Sequence, residues 1–360
     1  MASVLGDDQV RDRIVGCLVA GAVGDALGAP EEFASIDTIV ERFGPEGITE
    51  VASPGHFTDD TQMTLFTCEA LIHAGLRLAA EGTCHPSTLL FDSYQRWLST
   101  QGWRDNDVAA RLGGMLHADF RMHRIEAPGN TCLDALDSKV IGLIDRPINE
   151  SKGCGGVMRA APAGLLVPGA PVGTAPAEAY HLGCEAAAVT HGHPLGFHSA
   201  GVLAALVHLV VAGSTYVEAW DVVRPLTYGP MAEITDRAFE VGLDGVPTPQ
   251  VIESKLGAGW VGEEALAIAL ACAVGAQDLE SGLLASVNHS GDTDSTGAIC
   301  GNLLGVAFGS AAVPDRWTGA VDAMDLVIAV ATDVADWVLD PPSSDEPDDR
   351  FARLFERYVV

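Results

Sequence analysis

Residues 56–61, His-Phe-Thr-Asp-Asp-Thr, set Asp59 and Asp60 between Thr58 and Thr61 immediately ahead of an apolar helical pattern. Taken alone, this is first of all a helix cap, because Thr and Asp accept backbone N–H bonds and an acid complements the helix dipole. One acid is enough for a cap. Two adjacent carboxylates flanked by hydroxyls also make hard oxygen ligands of the kind Mg2+ and Mn2+ prefer. The same chemistry returns near the other end of the chain in Ser290-Gly291-Asp292-Thr293-Asp294-Ser295-Thr296-Gly297, again opening a helix. A calcium-binding EF-hand loop is excluded there, since the position that needs a bidentate Glu is Leu303. If the two helices pack together, the two clusters assemble a two-metal oxygen site, a far more specific signal than either half.

Three further segments carry weaker signals. Residues 151–159, Ser-Lys-Gly-Cys-Gly-Gly-Val-Met-Arg, form a glycine-rich turn whose backbone N–H groups can approach a phosphate, with Arg159 as added charge or as a buttress. It is not a Walker loop, and a purely structural turn reads equally well. Residues 189–198 hold His191, His193 and His198 at a helix junction, where ligand contact or capping is favoured over zinc because no third ligand stands at matched spacing. Residues 24–33, Gly-Asp-Ala-Leu-Gly-Ala-Pro-Glu-Glu-Phe, place two glutamates after a helix end, either as an exposed acidic loop or as a lid carrying a carboxylate.

The elements that must position these residues read as helix after helix. Apolar residues recur at three- and four-residue spacing, with breaks at Gly or Pro. Helices are predicted over about 10–27, 61–80, 87–99, 107–122, 131–140, 177–191, 195–213, 216–224, 230–241, 248–256, 261–275, 278–286, 295–309 and 319–339. Gly16, Gly21, Gly24 and Gly28 in the first, and Gly297, Gly301 and Gly305 in the one after the second acid cluster, point to helix backbones in close approach. No interior linker divides the chain, so one helical domain over 1–339 with an acidic C-terminal tail over 340–360 is expected. Hydrophobic residues make up 48% and charged residues 19%, which supports a large core. The apolar stretches around 199–213 and 265–277 fall short of a bilayer span and read as buried helices, so no membrane partner is expected. The start of the chain lacks a signal-peptide pattern and the eight cysteines contain no CxxC pair, which together suggest a reduced, cytoplasmic protein. A net charge of −29 disfavours broad nucleic-acid binding and requires any anionic ligand to find its own local positive charge.

In order and in wording, these segments resemble the ADP-ribosylglycohydrolase family, which includes the nitrogenase-reductase-activating glycohydrolases and the ADP-ribosyl-acceptor hydrolases; the resemblance spans about residues 10–310. It implies an all-α fold, a single orthogonal multi-helix bundle around a cleft with two metal ions, Mg2+ with Mn2+ as the alternative. It implies Thr58, Asp59, Asp60, Asp292, Asp294 and Ser295 as the metal ligands, Ser295 standing where many relatives have Thr. The family's flap glutamate falls on Glu32 rather than Glu31, its diphosphate and distal-ribose loop on Gly153, Gly155 and Gly156, and its Thr-His on Thr190-His191. No motif marks the adenine-stacking aromatic; Tyr216 and Phe197 are candidates for which a core role is favoured. The implied reaction is release of ADP-ribose from an ADP-ribosylated protein without a covalent enzyme intermediate. Glu32 is expected to orient substrate or water, and Asp60 or Asp292 to exchange the proton. Arginine is the first choice of acceptor. Serine, O-acetyl-ADP-ribose or nucleic-acid linkages, a non-catalytic ADP-ribose binder and a metal-dependent phosphohydrolase are the alternatives.

Overall fold

The computed structural model describes residues 5–103, 113–341 and 349–358. The first half contains α1 (Asp7–Gly28), α2 (Ile36–Phe43), α3 (Asp59–Glu81), α4 (Pro86–Thr100), α5 (Gly114–Ala118), α6 (Asn130–Asp137) and α7 (Pro162–Leu165). Then come α8 (Pro176–Ala188), α9 (Pro194–Val211), α10 (Tyr216–Val223), α11 (Gly229–Leu243), α12 (Pro249–Lys255), α13 (Gly262–Gly275) and α14 (Leu279–Val287). The last are α15 (Thr293–Phe308), α16 (Asp315–Thr318), α17 (Met324–Leu339) and α18 (Asp349–Tyr358). Among the described residues there is no β-strand, only isolated bridges such as Gly153 with Val261, so the chain is all-α as its periodicity and resemblance imply.

α1 and α15 form the spine, and their glycines explain why. A Cβ on Gly16 would stand 2.5 Å from the Gly305 carbonyl oxygen; one on Gly24 would collide with the Gly297 carbonyl and one on Gly28 with that of Thr293. Helices this close exclude side chains from the seam, and the entropic cost of helical glycine is offset by backbone-to-backbone contact. Both helices are buried nearly all round, and this is why α1 shows no polar stripe after its first turns. The antiparallel-like pairing of residues 16 with 305 and 28 with 293 brings the end of α1 to the start of α15, which is where both carry acids.

α1 and α9 are long and apolar enough by composition to cross a membrane, contrary to the expectation that the apolar stretches are too short, yet 83% of each apolar window is buried inside the fold. They are core helices. Other boundaries shift for local reasons. α2 was not expected; Ser35 caps it by accepting from Thr38 N–H at 3.2 Å. The predicted helix over 107–122 lies partly outside the described residues, and its remainder is α5 followed by a single 3-10 turn at Phe120–His123. The predicted 319–339 helix begins only at Met324, because Gly55 draws residues 320–322 into backbone pairing. Within the segment assigned to the acidic tail, α18 packs on α3 and α5, with Leu354 and Tyr358 buried and the Tyr358 hydroxyl donating to Asp333 at 2.6 Å.

Candidate active site

The site is held by bonds from α1 to the first turns of α3 and α15. Asp25, near the end of α1, is fully buried. Its carboxylate accepts from the N–H and hydroxyl of Thr58 at 2.9–3.0 Å and from those of Thr61 at 2.9 and 2.5 Å. An acid that satisfies four donors at a helix start fixes the position of that start. At the neighbouring helix, the Thr293 hydroxyl donates to Gly28 O at 2.9 Å. Asp292 and Asp294 both accept from Ser295 N–H, at 3.2 and 2.9 Å, which satisfies the cap reading of these acids. The segment after α1 is tied to the same loop, through Phe33 N–H to Gly291 O at 3.3 Å and Ile36 N–H to the Ser290 hydroxyl at 3.0 Å.

These ties bring the two acid clusters into one cleft of about 180 Å3, walled by Glu32, Asp59, Asp60, Asp292, Asp294 and Ser295 on one side and by Gly153, Cys154, Gly155 and His191 on the other. Glu32, Asp292 and Asp294 each offer a carboxylate oxygen within 4.8 Å of the others. Glu31 is not available to the cleft, because Arg42 binds both its oxygens at 2.9 and 2.8 Å. Thr58 stands behind the wall, its hydroxyl turned to Asp25 and, at 3.3 Å, to Asp60. Gly156 also sits behind the wall, packed on Ala187 and His191.

The electrostatics of this group call for a cation. Burial, and then the neighbouring carboxylates, push Asp60 and Asp292 well above the usual carboxylate range; burial does the same to Asp59 and raises Asp294. Glu32 rises to about 8 for the same two causes, burial first and the charges of Asp294, Asp59 and Asp25 after it. Asp60 Oδ1 is buried with no protein partner. An orphaned carboxylate oxygen inside a ring of like charges and hydroxyls fits hard divalent cations, which all six predicted ligand residues can serve with oxygen. Asp59 Oδ2 is meanwhile steadied by Gly129 N–H at 3.1 Å.

Across the cleft, the His191 ring underlies the glycine-rich loop, with Nε2 3.4 and 3.3 Å from where a Cβ on Gly153 and Gly155 would be. Side chains at those two positions would crowd the ring. Burial, and after it the nearby Arg159 charge, hold His191 down to about 3, so it is a neutral ring at ordinary pH. The other two histidines do different work: His193 Nδ1 accepts from Leu195 N–H and caps α9, and His198 bonds the Tyr180 hydroxyl. The only metal-ligand grouping of His, Cys, Asp or Glu found among the described residues is that of Glu32, Asp292 and Asp294. Phe197 is a core residue, and Tyr216 is partly buried against the core, its hydroxyl donating to Leu303 O at 2.6 Å. A larger hollow of about 540 Å3 between α3 and α17 is lined by groups such as Leu71, Leu165 and Trp337 and by no ionisable side chain.

Sequence reading missed three features. Asp25 was hidden in a run of small apolar residues, where a lone acid is itself a signal of a buried partner. Cys154 lines the cleft with its thiol in hydrogen-bonding reach of Asp292 and Ser295. Phe33, at φ 73° and 72% exposed, stacks on Trp260 with ring centroids 5.0 Å apart, bridging the Glu32 segment and the residues that pair with the glycine-rich loop. No spacing rule links positions 33 and 260.

Known proteins resemble this chain over nearly its whole length. A family model described as ADP-ribosylglycohydrolase matches residues 6–346. The chain is 28% identical over 321 residues to ADP-ribosyl-[dinitrogen reductase] glycohydrolase of Rhodospirillum rubrum, covering 87% of this chain and 92% of that protein. It is 24% identical over 353 residues to an uncharacterized protein of Archaeoglobus fulgidus, covering 90% and 96%. Among solved structures, an ADP-ribosylglycohydrolase-related protein superposes with a TM-score of 0.66 at 24% identity, covering 92% of this chain and 99% of that one, a likeness of fold.

Proposed function

The chain belongs to the ADP-ribosylglycohydrolase family, and from that membership we propose that it is a metal-dependent hydrolase releasing ADP-ribose from ADP-ribosylated protein, with arginine as the modified side chain. The observation that carries the reading is the meeting of Asp59 and Asp60 with Asp292, Asp294 and Ser295 in one cleft that also holds Glu32, the glycine-rich loop and His191.

Breaking the bond between the proximal ribose and its acceptor develops positive charge at the anomeric carbon. Thr58, Asp59, Asp60, Asp292, Asp294 and Ser295 would hold two Mg2+ ions, or Mn2+, which would supply Lewis acidity and lower the pKa of a water. The chain's own residues do the rest. Glu32 enters the cleft from the segment after α1 rather than from a helix start, and so serves as the carboxylate that orients the ribose hydroxyls or the attacking water. Asp60 or Asp292, through a carboxylate oxygen not engaged by metal, passes the proton lost by the attacking water to the leaving group. Gly153, Gly155 and His191 present an uncharged polar wall to the diphosphate, with Gly156 keeping His191 packed under the loop. An acidic cleft favours a leaving group that is a cation, which supports a guanidinium acceptor over a serine hydroxyl. The relative from Rhodospirillum rubrum, whose name places it on ADP-ribosylated dinitrogen reductase, supports a protein substrate. Eight free thiols support residence in the reducing cytoplasm.

The test is a panel of arginine-ADP-ribosylated protein, serine-ADP-ribosylated protein and O-acetyl-ADP-ribose, each assayed for released ADP-ribose with Mg2+. Release from the arginine linkage above the others is expected. Release of AMP in its place, by cleavage within the diphosphate, would identify a phosphohydrolase, and ADP-ribose binding without release from any linkage would identify a binding protein.

A further inference from the structure

We propose that Arg159 is a positioning residue that acts through the Thr190 hydroxyl to hold His191 as the Nε2–H tautomer, so that the ring offers a hydrogen-bond donor to an anionic oxygen bound at the glycine-rich loop. Assigning that anion to the diphosphate of an ADP-ribosyl group rests on the function proposed above; the tautomer does not.

Arg159 has no solvent exposure, and none of its hydrogen bonds goes to a carboxylate, although its charge reaches Asp59. Its guanidinium lies 4.2 Å over the Tyr94 ring. Nη1 finds only sulfur, Met63 Sδ and Cys132 Sγ at 3.4 Å each, and Nε has no partner. The strong acceptors are both on Nη2: Ala186 O at 3.0 Å and the Thr190 hydroxyl at 2.7 Å. A buried charge is costly to keep, and one that is spent on two atoms at the end of α8 is fixing that end.

Proton bookkeeping then runs in one direction. A guanidinium can only donate, so the Thr190 oxygen accepts from Arg159 and its own hydrogen must point elsewhere. His191 Nδ1 is 2.8 Å from that oxygen. The other acceptor near the hydroxyl is the Cys132 thiol, a weak one. The hydroxyl, polarised by the arginine, therefore donates to Nδ1, and a neutral ring carries its hydrogen on Nε2. Nε2 is the nitrogen that faces Gly153 and Gly155 on the cleft wall. Burial and the adjacent guanidinium keep the ring neutral, so it contributes a directed N–H rather than a charge. In a chain of net charge −29, a neutral donor backed by a buried cation is how this wall meets an anion without exposing a lysine or arginine to the acid cluster.

The experiment is 15N NMR of the full-length, histidine-labelled chain with Mg2+, the His191 signals being assigned by their loss in His191→Gln. The expected spectrum has an imine-type Nδ1 and a protonated Nε2; a protonated Nδ1 overturns the proposal, and retention of the other histidine signals in His191→Gln shows that the variant used for the assignment is folded. Thr190→Val, checked for folding by its melting transition, is expected to mix the tautomers and weaken ADP-ribose binding about tenfold, the scale of one buried hydrogen bond. Thr190→Ser is expected to restore both. An unchanged tautomer in Thr190→Val would also overturn it. If the wild-type chain binds no ADP-ribose, the function proposed above fails, while the tautomer still decides this proposal.

Discussion

Asp294→Asn is expected to make the protein more stable without metal and to remove its response to metal. The carboxylate oxygens of Glu32, Asp292 and Asp294 lie within 4.8 Å of one another. Two full charges at that separation repel by roughly 3.5 kcal/mol at an effective dielectric of about 20. Part of that repulsion is already relieved by proton uptake, since all three groups are pushed upward. A net gain of about 1–3 kcal/mol on neutralising one member is the resulting estimate. Asparagine keeps Oδ1 as the acceptor for Ser295 N–H, so the start of α15 is preserved. For a chain of this length an unfolding entropy of about 2.1 cal/mol/K per residue turns that gain into a rise of about 1–4 °C. In wild type, Mg2+ at about one hundred times its Kd should add about 2.7 kcal/mol, or roughly 3–4 °C. Scanning calorimetry of both proteins in EDTA and in Mg2+ makes the comparison. A variant less stable than wild type in EDTA, or one that Mg2+ stabilises as much as wild type, would refute the reasoning.

Further outcomes follow from the same geometry. Gly24→Ala puts a Cβ 2.5 Å from the Gly297 carbonyl carbon, so α1 and α15 must part by about 1 Å, costing about 1–3 kcal/mol; a urea titration should show that loss together with a smaller Mg2+ stabilisation. His191 is held to about 3 against an ordinary value of 6.5, so the unfolded chain takes up its proton first as pH falls. The stability His191 contributes is therefore complete above pH 6.5 and lost toward pH 3, at about 1.4 kcal/mol per pH unit; His191→Gln should flatten the urea midpoint against pH across that range. Trp260→Ala removes the stack on Phe33, and is expected to cost under about 1.5 kcal/mol of stability. Its effect on kcat/KM, about tenfold downward, should exceed what its melting shift explains, because Glu32 precedes the freed Phe33.

The parts of the site that were legible in the sequence are those where residue type alone carries the chemistry. Two hydroxyl-flanked acid pairs, each at a helix start, and glycines at helical spacing in the two helices that turn out to form the spine were all visible as patterns. Those patterns predicted close backbone approach, and the approach is what brings Asp292 and Asp294 to Glu32. The choice of Glu32 over Glu31 came from a resemblance; the physical reason, Arg42 occupying both oxygens of Glu31, needs the tertiary fold. Asp25 escaped because its four donors come from Thr58 and Thr61, more than thirty residues away in sequence. α2 also escaped, although α10 and α12, which are no longer than it, were both expected. The tie between Tyr358 and Asp333 likewise spans 25 residues and crosses the acidic stretch, so no local pattern announces it.

The central claim is tested most directly by following ADP-ribose release from arginine-ADP-ribosylated protein by wild type in Mg2+, by wild type in EDTA, and by Asp59→Ala and Asp292→Ala in Mg2+. Release confined to the wild type with Mg2+ is the predicted result. Release that survives EDTA or either substitution would contradict a metal-assisted reaction at the cleft formed by α1, α3 and α15.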